Sequence, residues 1–254
     1  MDVLILQRYF ANEMNSNGQL VISGDDYHHI VRVMRMSVGD KLIGVNSLGN
    51  TCKCTIAEIT DEKILCNIVE CEDRSSELPI RVTIASGLPK GDKLELIIQK
   101  GTELGANQFI PFTADRSIVK WDDKKAEKKV ERWQKIAKEA AEQSHRNKVP
   151  VVNSPVNIKA LIEASKDYDC KLIAYEEESR KGETSVLAKS LLNLQNNDSL
   201  FVVFGPEGGL SPKEIQLLSE SGFLPCGLGP RILRTETAPL YLLAAVSYHF
   251  ELSR

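Results

Sequence analysis

The spacing of hydrophobic and polar positions changes near residue 75 of the 254-residue chain. Before this point, short runs of alternating apolar and polar residues predict strands, whereas Asp25–Met36 has the apolar spacing of a helix. The predicted strands are Gln19–Ser23, Lys41–Val45, Thr51–Ile59 and Ile64–Val69. This pattern favours a small, barrel-like, β-rich module with one helix.

From Ile80 onward, the pattern predicts strands and helices in alternation. The predicted strands are Arg81–Ser86, Gln108–Phe112, Lys171–Tyr175 and Leu200–Phe204. The predicted helices are Asp92–Leu104, Asp122–Ser144, Ile158–Ser165, Val186–Leu194, Pro212–Glu220 and Thr237–Leu252. Such alternation is typical of an α/β fold, in which helices cover both faces of a mostly parallel sheet. A polar stretch before Pro79 predicts a linker, so we divide the chain into domains of residues 1–73 and 74–254.

The composition is that of an ordinary globular protein, with 42% hydrophobic and 26% charged residues. No apolar run approaches the ~20 residues of a membrane helix, and Met1–Phe10 lacks the features of a secretory signal. We therefore expect a cytoplasmic protein with no membrane partner. The net charge of −3 shows no overall excess of basic residues, so any contact with nucleic acid must come from local patches.

The six cysteines show no spacing typical of a metal site. They include no C-x-x-C pair, and no histidine lies at the spacing of a zinc ligand. We therefore expect no bound metal, and we expect reduced, partly buried thiols, as is usual in the cytoplasm. Cys52 and Cys54 lie two residues apart in a predicted strand and should share one of its faces.

A glycine-rich loop, Gly205-Pro-Glu-Gly-Gly209, directly follows the apolar strand that ends at Phe204. The loop leads into a helix with Ser211 as N-cap and Glu214 three residues later, the pattern of a capping box. In open α/β sheets, ligands bind at the carboxyl ends of strands, and glycines let the backbone approach a ligand closely. The loop matches no phosphate-binding motif, and Glu207 would repel a triphosphate but tolerate a cation such as a sulfonium. The glycines alone fit a plain strand-to-helix turn equally well.

A second glycine turn, Gly227-Leu-Gly229, precedes the last predicted helix. Between this turn and the helix, Arg231 and Arg234 flank an apolar pair, and Thr235 is the candidate N-cap of the helix. The two arginines could simply be solvated. Two glycine loops at the same edge of one sheet nevertheless favour a ligand site.

These motifs, together with four upstream segments, resemble the bacterial 16S rRNA uridine-N3 methyltransferases, the RsmE family of the SPOUT superfamily. The segments that carry the resemblance are His29-Ile-Val-Arg-Val-Met-Arg35, Lys90-Gly-Asp-Lys-Leu-Glu95, Gln99–Gly105, Glu142-Gln-Ser-His-Arg146, Gly205–Glu214 and Leu228–Ala238. These segments are spread over nearly the whole chain in the same order as in the family. Together they identify the family specifically, whereas any one of them alone does not. His145 departs from the family, which commonly has a small residue such as glycine there, and the departure concerns the shape of the loop more than the chemistry.

The resemblance implies a C-terminal domain with a deep trefoil knot, an N-terminal PUA-like β-barrel, a homodimer and S-adenosylmethionine as methyl donor. It also implies methylation of N3 of a specific uridine in the 16S rRNA of the small ribosomal subunit. The donor-binding residues that it implies are Tyr175, Phe204, Gly205, Glu207, Gly208, Leu228, Gly229, Ile232, Leu233 and Ala238.

Methyl transfer to uridine N3 requires an aligned donor and acceptor, a deprotonated N3 and the exclusion of water. A cation near O2 or O4 of the base would stabilise the uridine anion, and Arg146 and Arg234 are the candidates. The family resemblance favours Arg146 for orienting the acceptor, so Arg146 is also predicted to contact the RNA. A carboxylate could instead accept the proton, and Glu207 and Glu236 are available for this role.

His28, Arg32 and Arg35 are spaced by four and three residues in the first predicted helix, so they should line one face. Such a face could position an rRNA stem through its phosphates without reading its sequence. The spacing alone fits a solvated face better, and it is the family resemblance that favours contact with RNA.

Two other functions stay open on the sequence. The chain could be a SPOUT-type methyltransferase that acts on another RNA position, such as a tRNA ribose or guanine. It could also be a non-catalytic RNA-binding or ribosome-assembly factor, which would not bind S-adenosylmethionine. A nucleotide-binding oxidoreductase or NTPase is disfavoured because neither phosphate-binding fingerprint is present.

Overall fold

A computed structural model of the chain describes residues 6–11, 13–72, 74–117, 123–177 and 185–253. The chain forms two compact units. The first unit comprises Met1–Glu77 and Glu142–Lys148, and the second comprises Leu78–Ala141 and Val149–Arg254. The first boundary therefore follows Glu77, where the sequence suggested a division after residue 73. The segment Glu142–Lys148, which lies far along the chain, belongs to the first unit.

Six described strands of the first unit pair into one sheet. They are β1 (Arg8–Phe10), β2 (Glu13–Met14), β3 (Leu20–Ser23), β4 (Lys41–Val45), β5 (Thr51–Ile59) and β6 (Lys63–Glu72). Their order is β1-β4-β5-β6-β3-β2, and all neighbours are antiparallel except β1 and β4. Alternate residues such as Leu42, Cys54 and Ile64 point into a common core. The predicted β-rich module is confirmed, and β1 and β2 are additions too short to produce a clear alternation.

The helix of the first unit ends earlier than the sequence predicted. α1 (Asp25–His28) continues as a π-helical turn over His29–Val33 and stops there. Arg35 has a left-handed backbone, with φ of 52°, and cannot continue a right-handed helix. Ile30 is fully buried as expected, but Val33 has 66% of its surface exposed. The predicted apolar face is therefore only partly buried.

A disulfide joins Cys52 on β5 to Cys71 on β6. These residues face each other in the antiparallel register, and their Cα atoms lie 3.9 Å apart. The expectation of reduced thiols is wrong for this pair, because spacing along the chain does not show which residues two strands bring together. The other described cysteines are free, and burial raises the pKa of the Cys66 thiol to about 12. That thiol is therefore unreactive near neutral pH.

The second unit contains a parallel sheet. Its strands are β7 (Arg81–Gly87), β8 (Gln108–Thr113), β9 (Val151–Val152), β10 (Val156–Asn157), β11 (Cys170–Ala174), β12 (Ser199–Phe204) and β13 (Leu224–Cys226). The order among the described strands is β10-β8-β7-β12-β11-β13, with β9 also paired to β8, and every pair is parallel. The carboxyl ends of β11, β12 and β13 therefore meet at one edge of the sheet.

Helices cover both faces of this sheet. They are α2 (Lys93–Glu103), α3 (Asp123–Gln143), α4 (Ile158–Ala164), α5 (Val186–Asn193), α6 (Pro212–Glu220) and α7 (Thr237–Ser247), which continues as a π-helical turn over Tyr248–Leu252. Val202 of β12 lies in a buried cluster with residues of α2, α3 and α7, whereas Val203 lies in a cluster with residues of α4 and α6. Since successive strand residues point to opposite faces, the predicted α/β fold is confirmed. None of the helices that the structure describes combines the length and apolarity needed to cross a membrane.

Candidate functional site

The first glycine loop connects β12 to α6 and requires glycine for steric reasons. A Cβ atom on Gly205 would lie 3.0 Å from the backbone of Gly209, closer than side chains normally pack. Gly209 itself has φ of 69°, in the left-handed region that favours glycine. The loop closes on itself through a hydrogen bond of 2.8 Å from the Gly209 N–H to the Pro206 carbonyl. The glycines at these positions therefore allow the compact shape of the loop.

The start of α6 carries the predicted capping box. The Ser211 hydroxyl accepts a hydrogen bond of 3.2 Å from the Glu214 N–H, and the Ser211 N–H donates to Glu214 Oε2 at 2.7 Å. Glu214 is 2% exposed, and its Oε1 also accepts a hydrogen bond from the N–H of Asp115. The buried carboxylate thus joins the loop after β8 to the start of α6, next to the first glycine loop.

The second glycine loop runs from β13 to α7. Gly229 has φ of 89°, so glycine is favoured at this turn. α7 begins at Thr237 with Glu236 in the N-cap position, and no side chain caps it. Thr235 is therefore not the N-cap, and that prediction is wrong. A hydrogen bond of 3.0 Å from the Tyr175 N–H to the Cys226 carbonyl holds the end of β11 beside the start of this loop.

The two glycine loops and the end of β11 enclose a cavity of about 560 Å³. Nine of the ten residues predicted to bind a donor line the cavity: Tyr175, Phe204, Gly205, Glu207, Gly208, Leu228, Ile232, Leu233 and Ala238. Gly229 is the exception and shapes the turn instead. Arg234, predicted to act on the acceptor, also lines the cavity. Further lining residues without a predicted role include Lys93, Arg116, Glu176, Glu177 and Arg231.

The cavity has the size and surface of a small-molecule site. Its volume falls within the range of roughly 300–1,000 Å³ that is usual for such sites. Leu228, Ile232 and Leu233 provide an apolar wall, and the glycine backbone provides hydrogen-bonding groups. In the part of the chain that the structure describes, no group of three or more His, Cys, Asp or Glu side chains could hold a metal ion. The arrangement suits an organic ligand with an aromatic base and polar ends.

Lys93, at the start of α2, faces one carboxylate from each glycine loop. Its Nζ lies 2.9 Å from Glu207 Oε1 and 3.5 Å from Glu236 Oε2. We call Lys93, Glu207 and Glu236 the charge triad. Lys93 lies in one of the segments that carry the family resemblance, but the sequence predicts no role for it, because no local pattern signals an ion pair across more than a hundred residues.

The charge triad keeps Glu207 ionised. Burial alone would raise the pKa of this carboxyl, but hydrogen bonds from Lys93 and from the N–H of Lys90 outweigh burial and lower it. The same hydrogen bond to Glu207 raises the pKa of Lys93. Both groups are therefore charged near neutral pH. A carboxylate with a lowered pKa is also a poor proton acceptor at that pH.

Three arginines line the cavity, and all three are exposed. Arg116 donates a hydrogen bond of 2.9 Å to the carbonyl of Gly208 and so contacts the first glycine loop directly. Arg231 and Arg234 belong to the second glycine loop. These guanidinium groups provide fixed positive charge beside the cavity.

Arg146 lies in the first unit and is 2% exposed. Its guanidinium forms an ion pair with Glu77, whose Oε1 also accepts hydrogen bonds from the N–H groups of Asn147 and Lys148. The Arg146 carbonyl accepts hydrogen bonds of 2.8 and 3.2 Å from Arg8. Its role toward an acceptor stays a prediction, because a substrate would have to replace Glu77 as its partner.

Besides Arg146, the residues predicted to contact RNA are His28, Arg32 and Arg35, and these three also lie in the first unit. His28 and Arg32 are exposed on the helical segment, and Arg35 is exposed just beyond its end. Because the segment turns to π-helix and Arg35 leaves it, the stripe expected from regular helical spacing is wrong for Arg35. Exposure makes all three available to a polyanion, and their contact with RNA stays a prediction.

Residues 76–247 match the family described as RNA methyltransferase domain, and residues 22–69 match the family described as RNA methyltransferase PUA domain. Fold and site thus define a two-domain methyltransferase of the RNA-modifying class. The chain is 52% identical over 253 residues to the ribosomal RNA small subunit methyltransferase E of Bacillus subtilis, covering 98% of this chain and 99% of that protein. It belongs to the family of small-subunit ribosomal RNA methyltransferases E, the RsmE family.

Solved structures of similar proteins agree with this assignment. A methyltransferase from Legionella pneumophila, in complex with its cofactor SAM, has a TM-score of 0.82 and 28% identity, covering 96% of this chain and 98% of that one. The ribosomal RNA small subunit methyltransferase E of Neisseria gonorrhoeae, bound to S-adenosyl methionine, has a TM-score of 0.80 and 26% identity, covering 95% and 97%. The fold of this chain is thus that of methyltransferases solved with this ligand.

Proposed function

We propose that the protein transfers a methyl group from S-adenosylmethionine to N3 of a uridine in the 16S rRNA of the small ribosomal subunit. The observation that carries this proposal is the cavity between the two glycine loops, which nine of the ten predicted donor-binding residues line. The named relatives support the small-subunit RNA as substrate. The N3 position rests on the resemblance to the family.

The residues of the cavity fit this donor. Ile232 and Leu233 can cover an adenine ring, and the glycine backbone can approach the ribose without side-chain interference. Glu207, held in its ionised form, suits a ligand with a positive charge. When bound, S-adenosylmethionine supplies a methyl group activated by its sulfonium.

We propose that Arg234 stabilises the acceptor. Uridine N3 must lose its proton to become nucleophilic, and the resulting negative charge spreads over O2 and O4. Arg234 is exposed at the cavity and can donate hydrogen bonds to these oxygens. Arg146 could act in the same way only after exchanging Glu77 for the base. The lowered pKa of Glu207 favours an electrostatic role for it, which leaves Glu236 as the alternative proton acceptor.

We propose that the first unit binds the rRNA through His28, Arg32 and Arg35. Their exposure supports this role, and the match to a PUA domain supports it independently. We also propose a cytoplasmic location, since the proposed substrate is the small ribosomal subunit. Phosphate contacts of this kind orient RNA without reading its sequence.

We further propose a homodimer and a trefoil knot, as the family resemblance implies. Exposed apolar side chains on and after α7 support the dimer, since Tyr241, Tyr248 and Leu252 are 39%, 64% and 72% exposed. Light scattering after size-exclusion chromatography tests the dimer, and a monomeric mass would refute it.

Transfer of labelled methyl from S-adenosylmethionine to purified RNA substrates tests the proposed function. We expect label in 30S subunits and none in 50S subunits or tRNA. Label in tRNA would instead support a methyltransferase for another RNA position. No binding of S-adenosylmethionine in a calorimetric titration would support a non-catalytic RNA-binding factor.

A further inference from the structure

The charge triad is not electrically balanced. One ammonium group, Lys93, faces two carboxylates, Glu207 and Glu236, so one negative charge is left over. Glu207 accepts hydrogen bonds from both Lys93 and the N–H of Lys90. The triad therefore presents a net negative charge beside the cavity that Lys93 and Glu207 line.

Most of the uncompensated charge lies on Glu236. Its Oε2 atom is buried, and within the described residues it has no hydrogen-bond partner. Its contact with Lys93, at 3.5 Å, is longer than the 2.9 Å contact of Glu207 with the same ammonium group. The Glu236 side chain is 17% exposed, so water screens it little. A buried carboxylate with so few partners is costly unless something else compensates it.

We propose that Glu236, through the charge triad, makes the cavity prefer a cationic ligand over a neutral ligand of the same shape. This inference rests on the proposed function, in which the donor carries a sulfonium and the product, S-adenosylhomocysteine, is the uncharged thioether. The two ligands differ by one methyl group and one charge. Glu236 is therefore a specificity-determining residue: it retains the donor and lets the spent product leave.

The three arginines at the cavity oppose this preference but do not cancel it. Arg116, Arg231 and Arg234 are exposed, and solvent weakens the field of exposed charges. The side chains of the charge triad are 17–34% exposed and act through a medium of lower effective dielectric constant. At an effective dielectric constant of about 40, between the values for a protein surface and for bulk water, one unbalanced charge roughly 6–12 Å away changes relative affinity by about three- to tenfold.

Calorimetric titration of the full-length protein with S-adenosylmethionine and with S-adenosylhomocysteine tests the inference. We expect Glu236→Gln to lower the ratio of donor affinity to product affinity by about three- to tenfold. Glu207→Gln should lower the ratio in the same direction and serves as a second variant. Lys93→Arg, which keeps the charge, should preserve the ratio. Glu163→Gln removes an equal charge outside the cavity, from an ion pair with Lys166, and should also preserve it.

The ratio separates charge from structure, because a variant that only loosens the loops weakens both ligands equally. If Glu236→Gln and Glu207→Gln changed both affinities by the same factor, the inference would be overturned while the proposed function stood. If the wild-type protein bound neither ligand, the proposed function itself would fail. A second readout is product inhibition, which should become stronger relative to the donor KM in Glu236→Gln.

Discussion

The guanidinium groups of Arg234 and Arg146 differ in their exposure to solvent. Arg234 is exposed at the cavity, whereas Arg146 is 2% exposed and paired with Glu77. Removing one partner of a buried ion pair leaves the other charge uncompensated, whereas an exposed side chain contributes little to stability. The two arginines should therefore respond differently to the same substitution.

Arg234→Ala should lower kcat about 100-fold, because the developing uridine anion then has one hydrogen-bond donor fewer. The melting temperature should stay unchanged.

Arg146→Ala should lower the free energy of unfolding by about 3 kcal/mol, because Glu77 is left without the guanidinium group that pairs with it. Thermal unfolding and single-turnover methyl transfer on the same preparations measure both effects. A normal rate of methyl transfer in Arg234→Ala would show that Arg234 does not stabilise the acceptor. A normal rate in a folded Arg146→Ala protein would show the same for Arg146.

The ion pair of Glu207 and Lys93 should be insensitive to pH over a wide range. The pKa of Glu207 is lowered from 4.5, so its stabilising contribution is present above that value and is lost as the pH falls through the lowered pKa. The pKa of Lys93 is raised from 10.5, so its contribution is lost only at still higher pH. We expect the difference in free energy of unfolding between wild type and Glu207→Gln to stay constant from about pH 6 to 9. A difference that changed with pH across this range in urea titrations would contradict the assignment.

Among the elements, strands of four or more residues were predictable from sequence, and strands of two or three residues were not. Pro212–Glu220 and Thr51–Ile59 have the predicted bounds, because each spans enough residues to show its periodicity. β13 has three residues, and its pairing with β11 depends on contacts distant in the chain. Short strands of this kind carry too few positions for any pattern.

The candidate site and the disulfide show the same contrast between features that a local sequence pattern predicts and features that depend on residues distant in the chain. The glycine loops and the capping box were predictable because each is a local motif with local hydrogen bonds. The disulfide between Cys52 and Cys71 and the role of Lys93 were missed because both depend on which distant residues the fold brings together. Residue preference favours Thr235 as the N-cap of α7, but the backbone places Glu236 there.

The end of α3 offers a test of local backbone strain. α3 ends at Gln143, and His145, two residues later, has a left-handed backbone with φ of 58°. Glycine is the residue usually found at such a position after a helix. We expect His145→Gly to raise the free energy of unfolding by about 1 kcal/mol, since the left-handed region costs a side-chain-bearing residue about that much.

The matched control for this substitution is His145→Ala, which removes the imidazole but keeps the Cβ atom. Chemical denaturation should show stabilisation in His145→Gly and none in His145→Ala. Equal stabilisation by both variants would show that the imidazole, and not the backbone, carries the cost at this position.

At the scale of the whole molecule, the first unit is not a contiguous piece of sequence. Because it includes Glu142–Lys148, truncation near residue 77 would break the contacts of Glu77 with Arg146 and Asn147. Charge removal on the intact chain is therefore the better test of its role in RNA binding.

The double variant Arg32→Gln/Arg35→Gln should weaken RNA binding and reduce the slope of log affinity against log salt concentration by about 2, one for each phosphate that the protein no longer neutralises. Lys41→Gln/Lys63→Gln removes two exposed charges from strands of the same unit and should leave the slope unchanged. Titrations of a 16S rRNA fragment at several salt concentrations measure both. A slope equal to that of wild type in the arginine variant would exclude this surface as the site of RNA binding.

The proposed function requires that the protein transfer a methyl group from the ligand of the cavity to one base position of small-subunit RNA. Its most direct test is mass-spectrometric mapping of 16S rRNA after incubation of unmethylated 30S subunits with the protein and S-adenosylmethionine. We expect a single new 3-methyluridine, absent when the donor is omitted. A methyl group on a ribose, on another base, or on no nucleotide at all would contradict it.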